Sequence, residues 1–321
     1  MTARLDRLRL NRFVVLGRVG LDLYADPPGT RIEEARAYVS AIGGSAGNIA
    51  VALARQGAEA SLLTRVSDDA VGRYCVAELA RYGVGTQLVR LSGPGSRTSL
   101  AVTETVATGC QTVLYRNGAA DFSLDLPDAE AADFSPVGAL VVTGTALAAE
   151  PSRAATRRAM QRARAAGALV VIDLDYRAYS WASEAEAATV CAAAAEAADI
   201  VVGNDDEFGL LAGAHDRGRD LAQVLAQGRG AVSIYKRGPL GAATFTSDRS
   251  FETGIFPVAA LKPTGAGDGF MGGLLAGLAA GHALETAVRR GAATAALIVS
   301  GIGCAPASPD TPTLDAFIAR H

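Results

Sequence analysis

The chain has 321 residues, 50% of them hydrophobic and 20% charged, with 30 Lys and Arg against 33 Asp and Glu and a formal net charge of −3. This composition suits a globular protein with a large core and gives no reason to expect nucleic acid or an acidic membrane surface as a partner. No stretch approaches 18 uninterrupted apolar residues, and residues 1–11 lack an apolar core of signal-peptide length, so neither a membrane span nor a secretory leader is expected.

In chain order, Phe13-Val14-Val15-Leu16 followed by Gly17 predicts a buried strand. Residues 45–56 predict a helix with Ile49, Ala52 and Leu53 on one face and Gly57 as its stop. Ser61-Leu62-Leu63 predicts a strand, and Ser67-Asp68-Asp69 caps a helix running to Tyr82 ahead of Gly83. From residue 139 the alternation is regular. Strands at 139–142, 169–172, 200–202 and 231–235 alternate with helices at 152–166, 184–197 and 205–212, and 268–298 reads as two helices parted near Gly281. This rhythm predicts an α/β fold, a mostly parallel central sheet covered on both faces, with no linker or repeat to divide the chain. Residues 38–40 and 97–115 break the rhythm, with Leu100 and Val102 facing one way and Ser99, Ala101 and Thr103 the other. They predict antiparallel strands, either a small flap over the large sheet or a hairpin without a role. Cys75, Cys110, Cys191 and Cys304 are scattered with no C-x-x-C pair, and read as reduced thiols of a cytoplasmic protein. His215, His282 and His321 have no partner at metal-ligand spacing and are given no function.

The most informative segment is Thr264-Gly265-Ala266-Gly267-Asp268-Gly269-Phe270. Gly265, Ala266 and Gly267 allow consecutive main-chain N–H groups to converge, and a helix that starts there adds its positive dipole end to an anion site. Asp268 in the same turn is placed to accept a proton from an attacking hydroxyl, as phosphoryl transfer requires. A plain N-cap carboxylate is the competing reading. Asn204 and Glu207 follow a strand and open a helix, at the end of an open α/β sheet where ligands bind. They equally suit a reciprocal capping box.

Taken together, these motifs resemble the ribokinase-like (PfkB) carbohydrate kinases. Gly43-Gly44-Ser45-Ala46-Gly47-Asn48 resembles that family's N-terminal signature, Asn204-Asp205-Asp206-Glu207 its N-x-x-E motif, and the segment from Thr264 to Asp268 its C-terminal signature. Gly17 to Leu23, Asp173-Leu174-Asp175-Tyr176-Arg177, Tyr179-Ser180-Trp181 and Lys262-Pro263-Thr264 are similar to the 5-dehydro-2-deoxygluconokinase branch. Lys262 departs from the wider family, which carries an Asp at the head of this motif.

The resemblance implies a three-layer fold in one kinase domain, with lid strands from about 20–42 and 97–116. It also implies ATP and Mg2+ as cofactors, permits a monovalent cation such as K+, and makes the terminal hydroxyl of a keto-deoxy sugar acid the acceptor. Asp268 becomes the base, with Gly265, Ala266 and Gly267 facing the transferred phosphoryl group. Asn204, Glu207, Lys236, Gly238, Thr264, Gly265 and Gly267 become nucleotide residues, Glu207 holding magnesium through water. Asp22, Gly43, Gly44 and Asn48 become sugar residues. Arg116 and Arg177 become receptors for a carboxylate, with Asp175 steadying Arg177. The exposed strand edges and apolar face of the lid imply a homodimer. The alternatives are a 2-dehydro-3-deoxygluconokinase, another sugar kinase such as a fructokinase, and a catalytically silent sugar-binding regulator. A dinucleotide oxidoreductase and a P-loop NTPase are disfavoured, because neither G-x-G-x-x-G after the first strand nor G-x-x-x-x-G-K-[ST] occurs.

Overall fold

A strand buried on both faces needs cover above and below it, and six of the described segments have that character. The computed structural model describes residues 5–228, 232–262 and 264–321. Ala231 at the head of one expected strand and Pro263 in the C-terminal motif lie outside the described residues. The first strands are β1 (Arg12–Leu16), β2 (Gly20–Asp26), β3 (Ala37–Gly43), β4 (Glu59–Val66), β5 (Val89–Leu91), β6 (Ser99–Thr103) and β7 (Thr112–Tyr115). They are followed by β8 (Ala139–Thr143), β9 (Leu169–Asp173), β10 (Ile200–Asn204), β11 (Val232–Lys236), β12 (Ala242–Phe245) and β13 (Ser250–Thr253).

Nine strands form one sheet in the order β13-β12-β11-β10-β9-β8-β1-β4-β5. It is parallel from β11 to β5, and β12 and β13 continue it antiparallel as a hairpin. Alternate side chains leave on opposite faces. Val15, Val141, Val171, Val202 and Ile234 pack against helices Ser45–Arg55, Ala70–Arg81, Ala266–Ala279 and Leu284–Val299. Leu16, Leu140, Val170, Ile172 and Val201 pack on the other side, against Ser152–Ala165, Glu184–Ala197, Asp205–Ala212 and Gly218–Gly228. Each such burial is worth about 1.5–3 kcal/mol, so the strands are fixed by many small contributions and their carboxyl ends are left to carry polar groups.

The other four strands form a small separate sheet in the order β3-β2-β6-β7. β6 and β7 are antiparallel, but β6 runs parallel to β2, so the small sheet is mixed. Its alternation is turned inside out. Asp22, Tyr24, Ser99, Ala101 and Thr103 are buried, whereas Val113 and Tyr115 are exposed and Leu100 and Val102 only half-buried.

One close approach positions the chemistry. A Cβ at Gly272 would lie 2.3 Å from the Cβ of Ala52, so helices Ser45–Arg55 and Ala266–Ala279 touch there with nothing between them. Asn48 precedes Ala52 by four residues and Asp268 precedes Gly272 by four, so one helical turn from this contact the two polar side chains meet. Gly272→Ala forces the helices apart. It is expected to cost about 1–3 kcal/mol of stability by denaturant titration and to lower activity with it.

Candidate active site

Three parallel neighbours end in polar residues: β9 in Asp173, β10 in Asn204 and β11 in Lys236. Register places Asn204 beside Lys236 and Asp173 beside Val202. Lys236 Nζ therefore stands 4.0 Å from Asp173 Oδ1. Burial alone would lower the pKa of Lys236. The carboxylates of Asp173, Glu207 and Asp268 outweigh it, raising that pKa and holding the ammonium charged. Together with Asp175, Arg177 and Asp268 these groups line the polar end of a cavity of about 760 Å³.

Helix Ala266–Ala279 opens onto the same cavity. Its N-cap is Gly265, in the left-handed region at φ 83°, and no side chain caps the helix. The first main-chain N–H groups of the helix thus have no helical or side-chain acceptor, the condition for binding an anion. A Cβ at Gly267 would come 3.1 Å from Lys236 Nζ, so this glycine leaves the ammonium room beside the loop. Asp268 does not cap the helix. Its Oδ2 accepts from Asn48 Nδ2 at 2.7 Å. Burial, then the neighbouring charge of Asp175, pushes its carboxyl up to about 7. A carboxylate with that affinity for a proton can take one from an alcohol as the oxygen attacks.

Asn204 and Glu207 do form the reciprocal capping box. Glu207 N–H donates to Asn204 Oδ1 at 2.8 Å and Asn204 N–H to Glu207 Oε2 at 2.7 Å. Glu207 Oε1 also accepts from the Tyr176 N–H at 3.1 Å. The capping and cavity readings coexist, because both residues also line the cavity.

Asp22 is buried with Oδ1 unpartnered, and Asn48 Oδ1 and, in the cavity lining, Thr264 Oγ1 are equally orphaned among the described residues. Buried polar atoms left open in this way are available to a polar ligand or an ordered water. Gly43 and Gly44 make room for the protein itself: a Cβ at Gly43 would fall 2.0 Å from Asp22 Oδ1, and one at Gly44 2.5 Å from the Arg18 carbonyl oxygen. Gly43 therefore seats Asp22. Asp175 is buried in a left-handed conformation, φ 36°, accepting from Thr145 Oγ1 at 3.0 Å and pairing with Arg177 at 2.9 Å. Such backbone strain is common at ligand sites. Arg177 also donates from Nη1 to the Tyr176 carbonyl oxygen at 3.0 Å, and its side chain, 46% exposed, is part of the cavity lining. Arg116 differs. It is buried, ion-paired with Asp121, bonded to the Thr145 carbonyl oxygen and Ser180 Oγ, and laid over the Phe122 ring.

The model of the pfkB family carbohydrate kinases matches residues 10–311. The chain belongs to that family. A 5-dehydro-2-deoxygluconokinase of Photobacterium profundum is 39% identical over 95% of this chain and 94% of its own, and one of Geobacillus kaustophilus 34% identical over 96% and 94%. Among solved structures, a PfkB protein from Polaromonas superposes with a TM-score of 0.82 at 28% identity, covering 95% of this chain and 99% of the other. A fructokinase variant from Vibrio cholerae, solved with fructose, ADP and potassium, gives 0.82 at 26% identity, covering 95% and 98%.

Gly238 lines the cavity of this family member together with an apolar slot of Ile255, Phe256, Val258, Ala292, Ala296 and Val299. The slot is invisible in the sequence because it joins a loop to a distant helix. Asp173 also escapes prediction as a site residue, although an Asp that ends a wholly buried strand is itself a signal. His215, given no partner by spacing, returns to within 3.5 Å of Asp206 on the exposed surface.

The raised pKa of Asp268 has a consequence for stability. A folded value of about 7 lies above the ordinary 3.8, so the folded state binds the proton more tightly and stability falls as pH rises from about 4 to 7. Asp268→Asn removes that charge. Thermal melts should show the variant gaining on the wild type at about pH 8 relative to about pH 5. An equal difference at both would contradict the shift.

Proposed function

We propose that this kinase transfers the terminal phosphoryl group of ATP to the primary hydroxyl of a keto-deoxy sugar acid, 5-dehydro-2-deoxygluconate before others. The observation that carries the reading is Asp268: a carboxylate raised to about 7, fixed by Asn48, in the first turn of a helix whose leading amides are uncapped. The amides of the Gly265–Gly267 loop face the charge that spreads over the phosphoryl oxygens, while Asp268 receives the hydroxyl proton. Lys236 and Gly238 border the phosphates, and the apolar slot suits a purine ring. The names of relatives 33–39% identical over most of the chain support the substrate.

Magnesium fits the donor set, because the carboxylates of Asp173, Asp175 and Glu207 line the polar end of the cavity as hard oxygen ligands. Both Glu207 oxygens already accept main-chain N–H groups, so Glu207 acts through water. Bound there, magnesium neutralises phosphate charge. Asp22 and Asn48 hold sugar hydroxyls through their open oxygens. Arg177 receives the substrate carboxylate, and Arg116, its charge already met by Asp121, shapes the wall behind Asp175 through Thr145.

The small sheet serves as the lid. Its outer face carries the cross-strand rows Leu21-Leu100-Tyr115 and Leu23-Val102-Val113, which suit pairing with a second copy. No described helix is long and apolar enough to cross a membrane, and four free cysteines support a cytoplasmic setting.

A coupled ATP assay over 5-dehydro-2-deoxygluconate, 2-dehydro-3-deoxygluconate, fructose and ribose tests the reading. The sugar acids should be preferred. The rate should climb with pH through about 7 as Asp268 ionises, and Asp268→Asn should lose about 10²–10⁴-fold in turnover. Preference for fructose or ribose would overturn the acid assignment. Solution mass should be that of a dimer and return to a monomer in Leu100→Lys/Tyr115→Lys; a wild-type monomer would remove the lid interface.

A further inference from the structure

Lys262 is a buried lysine that none of these roles uses. It is 1% exposed. Its ammonium donates to the carbonyl oxygens of Thr264 at 2.9 Å and Ile298 at 3.4 Å, and to Cys304 Sγ at 3.7 Å. Three acceptors match the three ammonium protons. Among the described residues no salt bridge includes it. A buried cation without a carboxylate in direct contact is costly and must be held by the dipoles around it, by the Tyr24 ring 5.8 Å away, and by the more distant charge of Asp22.

The identity of the first acceptor gives the charge a purpose. The Thr264 carbonyl and the Gly265 N–H belong to one planar trans peptide unit and point in opposite directions. An ammonium on the oxygen fixes that plane and strengthens the N–H on its far side as a donor. The loop beyond it, Gly265 to Gly267, lines the cavity. The anchor also admits little movement. A Cβ at Gly265 would fall 2.1 Å from Cys304 Sγ, the same sulfur that accepts from Lys262. That sulfur lies 3.6 Å from Tyr24 Oη, which donates to Asp22 Oδ2 at 3.1 Å.

We infer that Lys262 is a built-in monovalent cation for the anion loop: its ammonium orients and polarises the Thr264–Gly265 peptide, and added potassium is not required. It is a positioning residue, since it acts through the peptide and does not reach the phosphate side itself. The inference rests on the proposed phosphoryl-binding role of the loop.

The first test needs no variant. Wild-type protein in choline chloride and in potassium chloride, at equal ionic strength, should bind ADP with the same affinity by calorimetry and transfer phosphate at the same rate. The second test is Lys262→Met, which keeps the apolar stem, removes the charge and leaves the place of the ammonium empty. Folded by circular dichroism, it should lose roughly tenfold or more in kcat in choline with little change in the KM for the sugar acid. It should also bind ADP more weakly. Potassium or ammonium, small enough for the space between the two carbonyls, should restore part of both, and tetramethylammonium neither. A wild type whose ADP affinity or kcat rises with potassium would overturn the inference, as would a folded Lys262→Met with wild-type values in choline. If the variant does not fold, the wild-type comparison decides alone. A wild type that binds ADP but phosphorylates no sugar acid would refute the substrate reading and leave the ADP measurements to judge Lys262.

Discussion

Asn48 and Asp268 are 220 residues apart in the chain and 2.7 Å apart in space, and the site depends on that hydrogen bond. Asn48 stands in the first turn of a helix that follows the small sheet. Asp268 stands in the first turn of a helix that opens onto the cavity. The bond therefore ties the two helices together at the carboxylate that the proposed reaction uses as its base. It is set by the helix contact at Ala52 and Gly272, one turn further on in both helices. A packing detail of the core thus sets the distance between the two groups to which the proposed reaction assigns the proton transfer.

The electrostatics of the cleft follow from crowding. Asp173, Asp175, Glu207 and Asp268 share one wall with Lys236 and Arg177. Desolvation dominates for Asp173, Glu207 and Asp268 and moves each of them upward. For Lys236 the surrounding carboxylates overcome burial and raise its pKa as well. Asp175 and Arg177 neutralise one another across 2.9 Å. The wall thus carries more acidic than basic side chains, and two of its acids, Glu207 and Asp268, are pushed up to about 7.

Much of this was legible in the chain. The buried runs at 139–142, 169–172 and 200–202 have the apolar continuity of strands covered on both faces, and all three are strands. The helix expected at the Gly-rich segment does start there, at Ala266, with Gly265 as an N-cap that offers no side chain. Helix Gly218–Gly228 and the β12-β13 hairpin were missed, because the helix begins at a glycine and Ala242-Ala243-Thr244-Phe245 has neither alternation nor bulk. Partners were harder to read than elements. That Arg116 spends its charge on Asp121, that Gly43 makes room for Asp22, and that Lys262 meets main-chain carbonyls are facts of tertiary placement that no local pattern encodes. The inverted burial of the small sheet, with Ser99 and Thr103 inside and Tyr115 outside, runs against the usual reading of an alternating strand.

The most direct test is a crystal structure with ADP, magnesium, aluminium fluoride and the sugar acid. The fluoride should sit on the main-chain N–H groups that open helix Ala266–Ala279. The acceptor hydroxyl should lie about 2.6–3.2 Å from the Asp268 carboxylate, with Asn48 still bonded to it. A hydroxyl beyond reach of Asp268, or a fluoride bound away from those amides, would contradict the account.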